Sequence, residues 1–330
     1  MRPYLLVGID TEGDNQWDAR ARAEQAFENI YALPQLHALF QRHGVRPTYV
    51  VTWPVATDER SQETLRYLLL RGDCEVGAHH HAWETPPCTA EDVARHPYAL
   101  SLPLEQFEAQ LAELTAAIAR ATGVPPVSYR SGRFGFDASH VAALERCGYL
   151  VESSVAPLFN ESRKGGPDFV TAPLSPYFLS YDSAVRPGTS RVLEIPYSAA
   201  LHRRVPLALA HAYGRVPWQY TSRRVLRKLG VARMDFLRPS YSSLDAMCAL
   251  ARRITEDGVP VLNLLFHSSE GIVGGSPYNR TRDELDRFLE RLDRFLHMAV
   301  TELQAIPATF KEFHAQFVAP PVTPVDAVKV

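Results

Sequence analysis

The 330-residue sequence has no apolar run that approaches the roughly 18 residues of a membrane span. Cysteine is sparse: Cys74, Cys88, Cys147 and Cys248 are scattered, with no CxxC pair. That pattern fits buried, free thiols in a reducing compartment better than a disulfide framework. No GxGxxG follows the first predicted strand and no GxxxxGKS or GxxxxGKT occurs, so a dinucleotide-binding fold and a phosphate-cradling loop lose their signatures. Charge of one sign is also missing. Lys plus Arg is 35 against 37 for Asp plus Glu, a net charge of -2, which removes the electrostatic footprint of a dedicated nucleic-acid binder. The first residues, Met1-Arg2-Pro3, run directly into Tyr4-Leu5-Leu6-Val7-Gly8-Ile9, without the apolar stretch and small-residue cleavage site of a signal peptide. A cytoplasmic location is the expectation. What is present is a globular composition, 46% hydrophobic and 22% charged.

Short apolar runs alternate with helical periods. Residues 4–9 are apolar throughout and read as a strand buried on both faces. Residues 22–43 follow a helical period that Pro34 breaks and Gly44 stops. Further strands read at 46–51, 74–78, 127–129, 149–151, 191–195, 259–266 and 306–310. Helices read at 61–70, 104–122, 139–147, 243–255 and 283–300. This β–α order predicts an α/β fold with a parallel sheet, and a barrel rather than a Rossmann fold. Residues 158–190 and 198–240 fit the repeat poorly and read as insertions. Residues 1–317 are expected to form one unit, and the Pro/Val-rich 318–330 an extended tail.

Reactive side chains recur just beyond the strand signals, where a parallel barrel opens its active face. Asp10 and Glu12 share one side of an extended segment, so both carboxylates address one site or, alternatively, sit solvated in a strand-end turn. In Glu75-Val76-Gly77-Ala78-His79-His80-His81-Ala82-Trp83, His79 and His81 share a face and His80 opposes them. Neutral imidazoles suit zinc and similar ions, although a surface loop or core histidines are equally compatible with the run. Arg130 and Arg133 stand in a Gly-rich turn after a strand. An arginine there can hold a carboxylate bidentately or simply bridge loops. His267 closes the apolar strand before Ser268-Ser269-Glu270, a place for a general acid or for a satisfied core histidine that those residues orient.

Gly8-Ile9-Asp10-Thr11-Glu12, Gly77-Ala78-His79-His80-His81, Tyr129-Arg130-Ser131-Gly132-Arg133-Phe134-Gly135 and Phe266-His267-Ser268-Ser269-Glu270 together resemble the ordered motifs of polysaccharide deacetylases. These are the NodB-homology proteins of carbohydrate esterase family 4, and the likeness runs from residue 4 to about 310. It implies a distorted (β/α) barrel, here of about seven parallel strands. The implied reaction is metal-dependent removal of an acetyl group, N-acetyl ahead of O-acetyl, from a sugar, glycan precursor or glycoconjugate. By that resemblance Asp10 is the base, Glu12 the metal-binding acid, His79 a metal ligand, Arg130 the anchor of Asp10, and His267 the acid that protonates the leaving group. Two departures stand out. Thr11 separates the two acids, which the family usually has adjacent, and Trp83 occupies the position of the second imidazole. His81 is read as the substitute ligand, as in an intracellular branch with Asp-x-Glu and His-x-His-x-Trp patterns. Trp83, Arg133, Phe134, Glu152 and Glu270 are read as substrate contacts, and Trp53, Tyr197 and Trp218 either as further stacking platforms or, as aromatics more often are, as core.

The expected cofactor is a divalent metal, zinc first, with cobalt, nickel or manganese as alternatives. From Arg203 to Arg238 the chain carries nine Lys or Arg and only Asp235 as an acid, a segment suited to an anionic carrier such as a nucleotide or lipid pyrophosphate, or to a solvated face. Two other functions share the motifs: a hydrolase of a small non-sugar amide, and a catalytically decayed carbohydrate-binding protein.

Overall fold

A computed structural model describes residues 2–216, 225, 228 and 232–319. Trp218, part of the basic segment and the tail from residue 320 lie outside the described residues. Eleven strands are described. They are β1 (Tyr4–Thr11), β2 (Thr48–Val51), β3 (Glu75–His80), β4 (Ser128–Ser131), β5 (Val151–Glu152), β6 (Tyr177–Phe178), β7 (Leu193–Glu194), β8 (Ala199–Leu201), β9 (Met234–Phe236), β10 (Val261–His267) and β11 (Ile306–Pro307).

The main sheet has the order β10-β1-β2-β3-β4-β5-β7-β6, with β11 also pairing β1. Every pairing in it is parallel except β6 with β7. The result is a curled, mostly parallel half-barrel, the α/β architecture expected. β1 shows why the sheet needs helices on both sides: seven of its eight residues are buried, which only a strand covered on both faces can be. The helix Leu104–Thr122 presses Phe107, Leu111, Leu114 and Ile118 into the core, all at 0% exposure. Each such side chain contributes roughly 1.5–3 kcal/mol of burial. Gly123, in the left-handed region at φ 80°, ends that helix.

The two segments read as insertions depart from the β–α repeat. The first carries β6 and returns antiparallel to β7; the second carries the antiparallel pair β8–β9. Three local expectations are corrected. The stretch 22–43 breaks before Pro34, which sits in the first turn of the helix Leu33–Arg42, where its missing N–H costs nothing. The last strand ends at Pro307, and a helix follows at Phe310–Val318, so the chain is not extended at Val318. Its start signal was in the sequence: Thr309 and Glu312 form a reciprocal capping box. The four cysteines are free but only partly buried.

Candidate active site

Register assembles the site. Across β1 and β10, Asp10 pairs with His267; across β3 and β4, His79 pairs with Arg130. Strand alternation then turns Asp10 and Glu12 to one side and leaves Thr11 to hydrogen-bond the Ile9 carbonyl. Asp10, Glu12, His79 and His267 converge at the carboxyl ends of the strands, in a half-open cleft of about 430 Å³ that His81 and Arg133 also line, with Arg130 buried beneath it.

Asp10 is held from below. Arg130 Nη1 donates to Asp10 Oδ1 at 2.6 Å, and both side chains are nearly sealed, at 1% and 6% exposure. Arg130 Nε donates to the Ser153 carbonyl at 2.8 Å and Nη2 to Ser153 Oγ at 3.1 Å. Gly8 makes the space: a Cβ there would lie 2.5 Å from Arg130 Nη2 and 2.7 Å from the Phe310 ring. Burial alone would raise the Asp10 carboxyl, but Arg130, His79 and His267 outweigh it and hold it well below the usual carboxylate range. Its second oxygen faces His79 Nε2 at 3.9 Å and His267 Nε2 at 3.8 Å.

Among the described residues, Glu12, His79 and His81 form a group of three whose donor atoms lie within 4.8 Å of one another. The hydrogen bonds set the tautomers. His79 Nδ1 lies 3.1 Å from the Arg130 carbonyl, which can only accept, so that nitrogen carries the proton and Nε2 keeps its lone pair. His81 Nδ1 is likewise 2.5 Å from Glu84 Oε1, which leaves Nε2 facing Glu12 Oε2 at 3.3 Å. Two imidazole lone pairs and a carboxylate aimed at one point repel unless a cation lies between them. Without one, a proton takes that place: burial would lower His81, but Glu84 and Glu12 push it up to about 9. Burial takes His79 down to about 4, which keeps it neutral. This donor set fits a divalent metal, and the outer carboxylate on His81 is the usual brace of a metal-ligating histidine.

His80 takes no part. It points to the opposite face, with Nε2 2.7 Å from Gln110 Oε1 and Nδ1 3.2 Å from the Tyr129 hydroxyl, a core histidine with both nitrogens satisfied. Gly132 packs directly on the site, because a Cβ there would lie 2.4 Å from His81 Cδ2. Gly132→Ala is therefore expected to displace His81 and weaken zinc binding by about 10- to 100-fold, the usual cost of disturbing such support, in a titration with purified protein. Unchanged affinity would remove His81 from the ligand set.

His267 Nε2 lies 3.7 Å from Glu12 Oε1, and the ring packs edge-on against Trp17 at 4.8 Å between centroids. Its Nδ1 is 3.1 Å from Glu270 Oε1. Arg238 Nη2 holds the same carboxylate oxygen at 2.6 Å. Burial would raise Glu270, yet Arg238 and His267 bring it down to about 2.

The residues expected to contact substrate divide. Trp83, Arg133 and Phe134 line the cleft. Glu270 is fully buried and acts on His267 from behind. Glu152 is also fully buried, behind Arg130, where it accepts from Ser154 and pairs in register with Glu194. A carboxyl sealed there cannot reach a ligand. Burial pushes both carboxyls up, and the adjoining Glu152 adds to the rise at Glu194, so the two titrate as a pair. Trp53 donates to Glu113 away from the cleft, and Tyr197 is buried between Phe134 and Phe236.

Sequence reading missed Glu84, Arg238, Gln16 and Trp17. Glu84 had a signal, three residues after His81; Arg238 had none, since it comes from the end of an insertion. Within the basic segment, Arg204 pairs with Glu256 and Asp257, Arg233 with Asp235, and Arg238 with Glu270, so these three meet acids of the chain itself. No described helix is long and apolar enough to cross a membrane.

No protein-family profile matches the chain, and no curated protein matches it in sequence. Solved structures do. A protein from Mycobacterium smegmatis assigned as a polysaccharide deacetylase superposes with a TM-score of 0.55 at 16% identity, covering 97% of this chain and 93% of that one. A protein from Parabacteroides distasonis assigned as a glycoside hydrolase/deacetylase gives 0.60 at 12% identity, over 95% of this chain and 70% of that one. Puue allantoinase gives 0.53 at 13% identity, over 95% and 89%. At these identities the likeness establishes architecture: the chain has the curled parallel half-barrel of deacetylase-type structures.

Proposed function

We propose that the protein is a metal-dependent hydrolase that removes an acetyl group, N-linked ahead of O-linked, from a sugar, glycan precursor or glycoconjugate. The observation that carries this reading is the pairing, within one cleft, of an Arg-anchored aspartate and a carboxylate-braced histidine with the Glu12–His79–His81 donor set. Glu12, His79 and His81 would hold the ion, zinc by donor type. When bound, a divalent ion polarises the acyl carbonyl and acidifies water.

The chain's own groups supply the proton transfers. Asp10 Oδ2 is the acceptor. Arg130 keeps the carboxylate charged and fixed, so its lone pair is available at neutral pH. His267 Nε2, 3.8 Å from Asp10 Oδ2, is the donor to the departing amine or hydroxyl. In the imidazolium, Nδ1 donates to Glu270, while Arg238 Nη2, which also lies 2.9 Å from Nδ1, holds the same Glu270 oxygen. Trp17, Trp83, Phe134 and Phe159 form an aromatic wall of the cleft that restricts water around the reacting groups.

A second reading, hydrolysis of a small non-sugar amide, draws support from the fold shared with Puue allantoinase. Zinc-loaded protein is therefore assayed for acetate release from N-acetylated and O-acetylated sugars, beside ammonia or carboxylate release from cyclic ureides. Acetate release that a chelator abolishes and added zinc restores is the expected result. Ureide turnover without acetate release would transfer the assignment to the second reading. Absence of zinc affinity would overturn the metal role.

A further inference from the structure

One sector of the cleft lies outside the catalytic groups; beyond Asp10 and Glu12 the one acid among the lining residues is Glu161, which Lys164 pairs at 2.7 Å. Arg22 and Arg133 both line it, and neither forms an ion pair with a carboxylate among the described residues. Each guanidinium makes one hydrogen bond, to a backbone carbonyl: Arg22 Nη1 to Gln16 at 2.7 Å and Arg133 Nη1 to Pro97 at 3.3 Å. Burial first, then the facing Arg22, pull the Arg133 pKa below its usual value, so the two cations repel across the gap. The backbone is committed to this arrangement. Arg133 and Phe134 are consecutive non-glycine residues in the left-handed region, at φ 55° and 58°, a conformation that costs energy and clusters at ligand sites.

An independent observation points the same way. The Gln16 side chain lines this sector at 8% exposure, and neither its amide nitrogen nor its oxygen has a partner. Buried carboxamides are normally satisfied, so an unmet donor here marks a place for an acceptor on a ligand. The sector is also coupled to the reaction centre. Arg133 lies 4.4 Å from the Trp83 ring, and Trp83 stacks on His81 at 4.2 Å, which sets the guanidinium one indole away from the metal ligand.

Resting on the acetyl-hydrolase reading, we propose that the substrate carries an oxyanion, a carboxylate or a phosphate, on the sugar bearing the acyl group, and that Arg22, Arg133 and Gln16 bind it. Arginine forks match both oxyanions, and the partly desolvated cleft strengthens the contact. The anion would make this sector a specificity site for the hydrolysis at the catalytic end.

Turnover is compared for N-acetylglucosamine, its 6-phosphate and N-acetylmuramic acid, with wild type, Arg133→Gln and Arg22→Gln. The expected result is a preference in kcat/KM for one anionic substrate over the neutral sugar of about 10- to 100-fold, carried by KM and weakened by salt. Each variant is expected to reduce that preference by at least about tenfold. The phosphate and carboxylate arms identify which oxyanion is read. A second measurement, titration with glucose 6-phosphate, glucuronate and glucose, needs no turnover. If no acetylated sugar reacts but an anionic sugar binds better than glucose and Arg133→Gln abolishes the difference, the anion site stands and the acetyl-hydrolase reading fails. Equal turnover of neutral and anionic substrates overturns the anion site and leaves the hydrolase. Equal binding of all three probes overturns it as well.

Discussion

Replacing Asp10 by Asn is expected to reduce kcat by about 10²- to 10⁴-fold while zinc content stays at the wild-type level. Asn keeps the shape of Asp and can still meet Arg130, but it offers no basic oxygen where Oδ2 now faces His79 and His267. Zinc is expected to stay because the three-donor group is Glu12, His79 and His81, none of which the change touches. The measurement pairs kcat on the best acetylated substrate with metal analysis of the same preparation. Circular dichroism confirms the fold, because Arg130 loses the charge of its partner. Normal turnover by the Asn variant would eliminate Asp10 as the base. Loss of zinc together with activity would move it into the ligand set.

The second large effect concerns stability. Arg130→Met is expected to cost about 3–5 kcal/mol, read as a lower midpoint in urea. Arg130 is completely buried, and its removal leaves the Asp10 carboxylate sealed in the barrel without a counter-charge. Glu152 behind it also loses a cation that favours its charged form. The same change in an Asp10→Asn background is expected to cost much less, since no buried charge is then stranded. The difference between the two costs is the coupling between these side chains. Additive costs would mean that Arg130 acts mainly through Ser153 and the sheet.

Much of this was legible before any coordinates. The apolar stretches of residues 4–9 and 259–266 read as strands, and they pair in parallel as β1 and β10, with β10 at the end of the sheet order. Asp10 with Glu12, and His79 with His81, were separable from Thr11 and His80 because strand side chains alternate with a period of two. That is a local rule, and it survives folding. The pairing of Asp10 with Arg130 was expected from the motif resemblance, and a 2.6 Å hydrogen bond joins them.

Other parts depended on contacts between distant segments. Glu152 follows the pattern of a strand-end residue, yet β5 pairs with β7 and turns that carboxyl into the interior beside Glu194. Nothing within ten residues of Glu152 records which strand becomes its neighbour. Arg238 looked like one more cation of a basic insertion, and 32 positions along the chain it meets Glu270 behind His267.

The sequence by itself determined the order of strands and helices in the β–α repeat outside residues 158–190 and 198–240, the face that each candidate ligand takes, and the residue types gathered at the strand ends. Those properties follow from periodicity and sterics over a few residues. Tertiary structure alone decided which carboxyls reach the cleft, which are sealed behind it, which cations are neutralised, and that Arg22 and Arg133 line one cleft without an ion pair to a carboxylate among the described residues. Burial and electrostatic pairing are set by what the rest of the fold places within a few ångströms, and no local rule contains that information.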